Sequence, residues 1–157
     1  MHYKVHHKVQ EIVHYMVYHS LKEEITTILK KESACSRVEI DKKLKEKPNR
    51  AILMGYLRCL SDLGILISKD VGRAKVYFLG GEMKESDNSL REEIVGVLKK
   101  ESACSREEIN KNLKEKPNRA ILMGYLRCLS DTDILISKDV GKAKIYFLGN
   151  NLNGGKK

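Results

Sequence analysis

Apolar residues recur along this chain at two periods, and the whole alternation occurs twice. In SLKEEITTILKK, from Ser20, Leu21, Ile25, Ile28 and Leu29 fall at a spacing near 3.6, which predicts a helix with one buried stripe. Its opening, Ser20-Leu-Lys-Glu23, has the form of a capping box: the serine hydroxyl accepts from the amide three residues on, and the glutamate reaches back. This helix is expected to end near Lys31. Ser36-Arg-Val-Glu39 is a second such box and opens a short helix that buries Ile40 and Leu44. EKPN then interrupts the pattern, because Pro48 pushes Lys47 away from helical angles and Asn49 is a good N-cap. A third helix is expected to run to about Leu63. It places Ile52, Leu53, Tyr56, Leu57 and Leu60 on one face and Ala51, Met54, Gly55 and Arg58 on the other. Gly64 supplies a left-handed cap. Strand-like runs follow in Ile65–Ser68 and Lys75–Leu79, flanking a Val71-Gly72 turn, and predict a β-hairpin. The short SACS segment before the second helix is a candidate third strand.

The same pattern returns 69 residues later, and 50 of the 62 positions aligned between 20–81 and 89–150 are identical. KEKPNRAILMGYLRCLSD stands unchanged at Lys45–Asp62 and Lys114–Asp131. A unit of this length exceeds the roughly 20–50 residues of a solenoid repeat and is long enough to fold alone. The expected organisation is therefore two domains, 20–81 and 89–150, joined by a polar linker, 82–88, and followed by a disordered tail, 151–157. The fold class expected is mainly α with small β-hairpins (α+β). The second copy has Asp133 where the first has Gly64, and Gly96 inside its first helix where the first has Thr27. Each change costs on the order of 0.5–1 kcal/mol, so the second domain is expected to be the less stable. Ahead of the repeats, Val5, Val9, Ile12, Val13 and Met16 form an apolar stripe in segment 1–19. That segment is expected to be an amphipathic helix that packs on the first domain or makes a homodimer. All five histidines lie in it, at positions 2, 6, 7, 14 and 19, accompanied by Glu11 alone as an acidic residue, and are not read as a metal site.

Charge adds a partner to this picture. The chain has 30 Lys+Arg against 21 Asp+Glu, a net charge of +9. Repeat one carries 13 basic and 8 acidic residues (+5), repeat two 12 and 9 (+3), and the linker is −2. The excess belongs to the repeats and points to a polyanion, nucleic acid first, against the alternative of a surface kept basic for solubility. No apolar run approaches the roughly 20 residues of a membrane span, and no secretory signal is recognisable, so a cytoplasmic location is expected. Abundant Lys, Glu and Ile with a single Gln, Gln10, resemble hyperthermophile usage. There is no P-loop, no GxGxxG and no histidine within the repeats, so neither an enzyme nor a cofactor is expected. Cys35, Cys59, Cys104 and Cys128 lack zinc-pair spacing; they are read as buried thiols, with intradomain disulfides left open.

Helix, short strand, helix, turn, helix and hairpin, with Leu57, Leu60, Gly64, Ile65 and Leu66 at the junction, resemble the winged helix-turn-helix family over 20–80 and 89–149. Tandem copies resemble small archaeal DNA-binding proteins. The resemblance implies double-stranded DNA as partner, for transcription regulation or for nucleoid packing with modest sequence specificity. The alternative is a module that binds proteins instead. It implies a recognition helix carrying Asn49, Arg50, Met54 and Arg58, with Asn118, Arg119, Met123 and Arg127 in the second copy. Lys43, Lys45, Lys47, Lys114 and Lys116 on helix two and the turn would contact phosphates. So would Lys69, Arg73, Lys75, Lys138, Lys142 and Lys144 on the hairpins. Two identical reading heads on one chain imply two equivalent contacts to one duplex.

Overall fold

Leu21, Ile25 and Leu29 are fully buried along one side of a helix over residues 21–32, α1. The computed structural model describes residues 21–80 and 90–149. Segment 1–19 with its histidines and apolar stripe, the caps at Ser20 and Ser89, the linker and the tail lie outside the described residues. β1 (Cys35–Ser36) leads directly into α2 (Arg37–Lys43), whose capping box forms as read: Ser36 Oγ accepts from the Glu39 amide at 3.2 Å, and the Ser36 amide donates to Glu39 Oε1 at 2.8 Å. Lys47 Nζ closes the other end of α2 by donating to the carbonyls of Asp41 and Lys42, where a cation meets the negative end of the helix dipole. Asn49 caps α3 (Arg50–Asp62), its Oδ1 accepting from the Ala51 amide at 2.8 Å.

The hairpin consists of β2 (Leu66–Val71) and β3 (Ala74–Leu79), in register from Leu66 opposite Leu79 to Val71 opposite Ala74. Its loop is Gly72-Arg73, one residue later than expected, with Gly72 at φ 65. SACS does supply a third strand: Cys35 pairs with Tyr77 and Ser36 with Val76, giving the sheet order β1-β3-β2. This pairing holds the start of α2 beside the hairpin.

The second half repeats every element: α4 (Leu90–Glu101), β4 (Cys104–Ser105), α5 (Arg106–Asn112), α6 (Arg119–Asp131), β5 (Leu135–Val140) and β6 (Ala143–Leu148). The described residues thus form an α+β fold of six helices and two three-stranded antiparallel sheets. Asp133 adopts φ 65 where Gly64 adopts φ 80, and Ile134 N bonds to Leu129 O as Ile65 N bonds to Leu60 O, each at 3.0 Å. The cap geometry therefore survives in a residue type that tolerates it less well. All four cysteines are buried free thiols. Among the described residues no helix is long and apolar enough to cross a membrane.

The two halves do not keep separate cores. One cluster of buried side chains runs from Leu21, Ile25 and Leu53 through Cys59 and Cys128 to Leu122 and Leu129. It is continuous because α3 packs on α6.

Candidate nucleic-acid interface

Gly55 and Gly124 explain how α3 and α6 meet. A Cβ on Gly55 would stand 1.9 Å from the Ile121 carbonyl oxygen, and one on Gly124 would stand 1.9 Å from that of Ile52. The backbones therefore touch where any larger residue would hold them apart. Each contact along this seam occurs twice, with the halves exchanged. Tyr56 donates to Asp131 Oδ2 and Tyr125 to Asp62 Oδ2, both at 2.5 Å. Arg58 reaches Glu115 at 2.8 Å and Arg127 reaches Glu46 at 2.6 Å. Each guanidinium also lies 5.9 Å from the centre of a tyrosine ring of the opposite half, Arg58 over Tyr125 and Arg127 over Tyr56. Cys59 and Cys128 meet at its centre, where burial raises the Cys59 thiol well above its ordinary pKa. The seam is thus an internal two-fold, and the segment repeated without change is the one that builds it. A self-complementary contact needs the same residues on both sides.

This corrects the expected division of α3. Ala51, Met54, Gly55 and Arg58 were expected to share an open face, but Gly55 is buried against α6 and Ala51 is half-buried. What stays open is a narrower strip, Arg50 and Met54, lying between the core side and the seam, with Arg58 partly exposed but bound across it. Along the seam Ile52 meets Gly124 while Gly55 meets Ile121, so the helices run antiparallel. A two-fold that relates side-by-side antiparallel helices runs between them, normal to the plane that holds both. It therefore brings the α6 strip, Arg119 and Met123, to the same side of the molecule.

In the second half this strip borders a groove of about 560 Å³. α6 contributes Arg119, Met123, Arg127 and Asp131; the hairpin contributes Ser137, Lys142, Lys144 and Tyr146; the start of α5 contributes Arg106 and Glu107. Ile52 of the first half closes one side. Five cations and two carboxylates give this surface a net positive charge, suited to a polyanion.

The residues expected to touch DNA fall into three groups. Arg119, Met123, Arg127, Lys142 and Lys144 are brought together in the groove, and Arg50, Met54, Arg58, Arg73 and Lys75 are their counterparts 69 residues earlier. A second group is engaged elsewhere. Asn49 and Asn118 are helix caps, and Lys47 and Lys116 bond to helix-end carbonyls. Lys43 pairs with Glu32 at 3.3 Å; Lys45 and Lys114 use only their backbone amides, on Glu24 and Glu93, and their exposed ammonium groups lie outside the groove lining. Lys69 and Lys138 form the third group. Strand alternation places them on the sheet face of Ile67, Val71, Ile136 and Val140, away from Ser137 and Lys144.

Within the groove group the cations differ in commitment. Arg58 and Arg127 are tied across the seam, Lys75 pairs with Asp70 at 3.3 Å, and Lys144 pairs with Asp139 at 3.5 Å. Arg50, Arg73, Arg119 and Lys142 are exposed and make no ion pair among the described residues. Arg37 and Arg106, the first residues of α2 and α5, were not singled out from the sequence. The signal was present in the SACS strand, since a β1–β3 pairing necessarily sets the start of α2 beside the hairpin.

Charges along the seam titrate in opposite directions. Loss of hydration raises the carboxyls of Asp62 and Asp131 above the ordinary aspartate value, although their tyrosine partners and Arg58 or Arg127 pull the other way. The hydrogen bond from Arg58 holds Glu115 below the ordinary glutamate value. Burial raises both Tyr56 and Tyr125, so both remain protonated donors. Among the described residues no group of His, Cys, Asp and Glu is arranged to hold a metal ion.

Comparison with protein-family models, with curated proteins and with solved structures gives no match.

Proposed function

We propose that each half is a winged helix-turn-helix unit and that the protein binds double-stranded DNA by its phosphates, with modest sequence specificity. The observation that carries this reading is the groove in which unpaired Arg119 and Lys142 come from a helix and a hairpin on one side of the molecule. The internal two-fold supports a second such surface, bearing Arg50 and Arg73, on the same side. The order of helices and strands supports the family assignment.

The mode of contact differs from two reading heads in successive major grooves. Those grooves lie about 34 Å apart, and helices that touch through glycine cannot occupy both. The face that would approach base edges is closed by the sister helix. The open strip offers Met54 and Met123, which have little hydrogen-bonding capacity, beside cations suited to phosphates. A protein-docking role has one supporting observation: the Ala51/Gly55 surface is in fact a helix-docking surface. It is already filled, from within the chain.

Fluorescence anisotropy with a labelled duplex of about 20 base pairs tests the proposal. Binding is expected at about 50 mM salt and should weaken by a factor of ten or more at about 200 mM, because each neutralised phosphate releases counterion. Duplexes of unrelated sequence should bind within about tenfold of one another, well short of the roughly 10³-fold preference of a specific reader. Absence of binding at the lower salt would overturn the reading in favour of a protein partner.

A further inference from the structure

We propose, on the basis of the DNA-binding reading, that the two grooves are unequal and that the first-half groove is the primary anchor for the duplex, with position 38/107 setting the difference. The halves are nearly identical, so the few positions at which they differ are informative. Two of these fall on the groove surface. Position 107 is Glu in the second half and position 38 is Val in the first; position 142 is Lys and position 73 is Arg.

Both changes act in the same direction. Glu107 accepts from Arg106 at 2.9 Å, so the second groove neutralises a cation of its own and presents a carboxylate to any approaching phosphate. In the first half Val38 is 51% exposed at the equivalent place, and Arg37 has neither hydrogen bond nor ion pair among the described residues. The second groove has five cations and two carboxylates (5 − 2 = +3); its counterpart has five cations and only Asp62 (5 − 1 = +4). Counting cations without an acidic partner widens the gap: Arg37, Arg50 and Arg73 against Arg119 and Lys142. Arg73 also presents a fork that can hold two phosphate oxygens, where Lys142 offers a point charge. An exposed apolar side chain on the first turn of a helix is a poor choice for solubility. Beside an arginine that must remain unpaired it has a reason, since valine competes with no phosphate.

Four single variants of the full chain decide the matter, with a labelled mixed-sequence 20-base-pair duplex as the probe and a thermal melt as the check on folding. Arg37→Ala is expected to weaken binding about 3- to 10-fold and to reduce the salt slope by about one, whereas Arg106→Ala changes affinity less than about 2-fold. Val38→Glu should reproduce the Arg37→Ala loss, and Glu107→Val should tighten binding about 3-fold with a steeper salt slope. Equal losses from Arg37→Ala and Arg106→Ala, or no effect of exchanging Val and Glu, overturn the inequality while leaving the DNA reading standing. A wild-type protein that does not bind the duplex at all overturns both.

Discussion

Arg58 and Arg50 stand little more than two turns apart on α3, yet the fold puts them to different uses. Arg58 forms a two-pronged bond to Glu115 and lies over the Tyr125 ring, holding one half of the molecule to the other. Arg50 projects into water with no partner among the described residues. The same contrast separates Arg127 from Arg119. A cation read from a sequence is only a charge; whether it is available to a ligand depends on the carboxylates that the rest of the chain brings within reach. The seam consumes charge to make structure, and the open strip leaves charge for a partner.

Changes on the seam should therefore cost stability, and changes on the strip should cost binding. The largest effect is expected from Gly55→Ala with Gly124→Ala, because a methyl group would meet a carbonyl oxygen at each site and force the helices apart. About 3 kcal/mol per site should be lost in chemical denaturation, and an unchanged midpoint would show that the helices do not pack this closely. Tyr56→Phe with Tyr125→Phe comes next. It strands two partly dehydrated carboxylates, at a cost of about 1–3 kcal/mol each. Arg58→Ala with Arg127→Ala should cost about 1 kcal/mol each, since these pairs are partly open to solvent. Arg50→Ala with Arg119→Ala should leave stability within about 0.5 kcal/mol of wild type while reducing duplex affinity about tenfold at low salt. If the Arg50/Arg119 variant melts early and the Arg58/Arg127 variant binds poorly at full stability, the contrast is reversed.

The smallest effect is one of pH. Asp62 and Asp131 hold their protons more tightly in the folded chain than an ordinary aspartate does, so the stability they contribute is present at low pH and lost as pH rises through their raised pKa values. Glu115 works the other way: its contribution is present above the ordinary glutamate range and lost as pH falls through its lowered value. Asp62→Asn with Asp131→Asn keeps an acceptor for each tyrosine and removes the dehydrated charge. Melts should show the variant gaining on wild type at pH 7, with the gain shrinking toward pH 4. A gain that grows on acidification would contradict the direction given for these two groups.

Helices, caps and hairpin were legible because each depends on residues close together in the chain. The box Ser36/Glu39 acts across three residues, the Asn49 cap across two, and the buried stripe of α3 across three turns. The turn moved by a single residue because Val71 still finds a partner in Ala74 and leaves Gly72 to take the positive φ. The candidate site was legible only in part. Alternation along the strand was enough to place Lys69 and Lys138 on the sheet face opposite the groove once the groove face was known, but not to say which face that was. Ala51 and Gly55 were recognisable as the small residues on one face of α3. Whether a base edge or another helix approaches is not a local property.

Taken alone, then, the amino-acid order determined two copies of one α+β unit, the order of their elements and their excess of positive charge, since propensity, capping and periodicity act within a few residues. Only the tertiary structure decided that the copies share a core through Gly55 and Gly124, which cations the seam consumes and which stay open. Those outcomes depend on residues such as Arg58 and Glu115, 57 positions apart, which become neighbours only when two backbones come into contact.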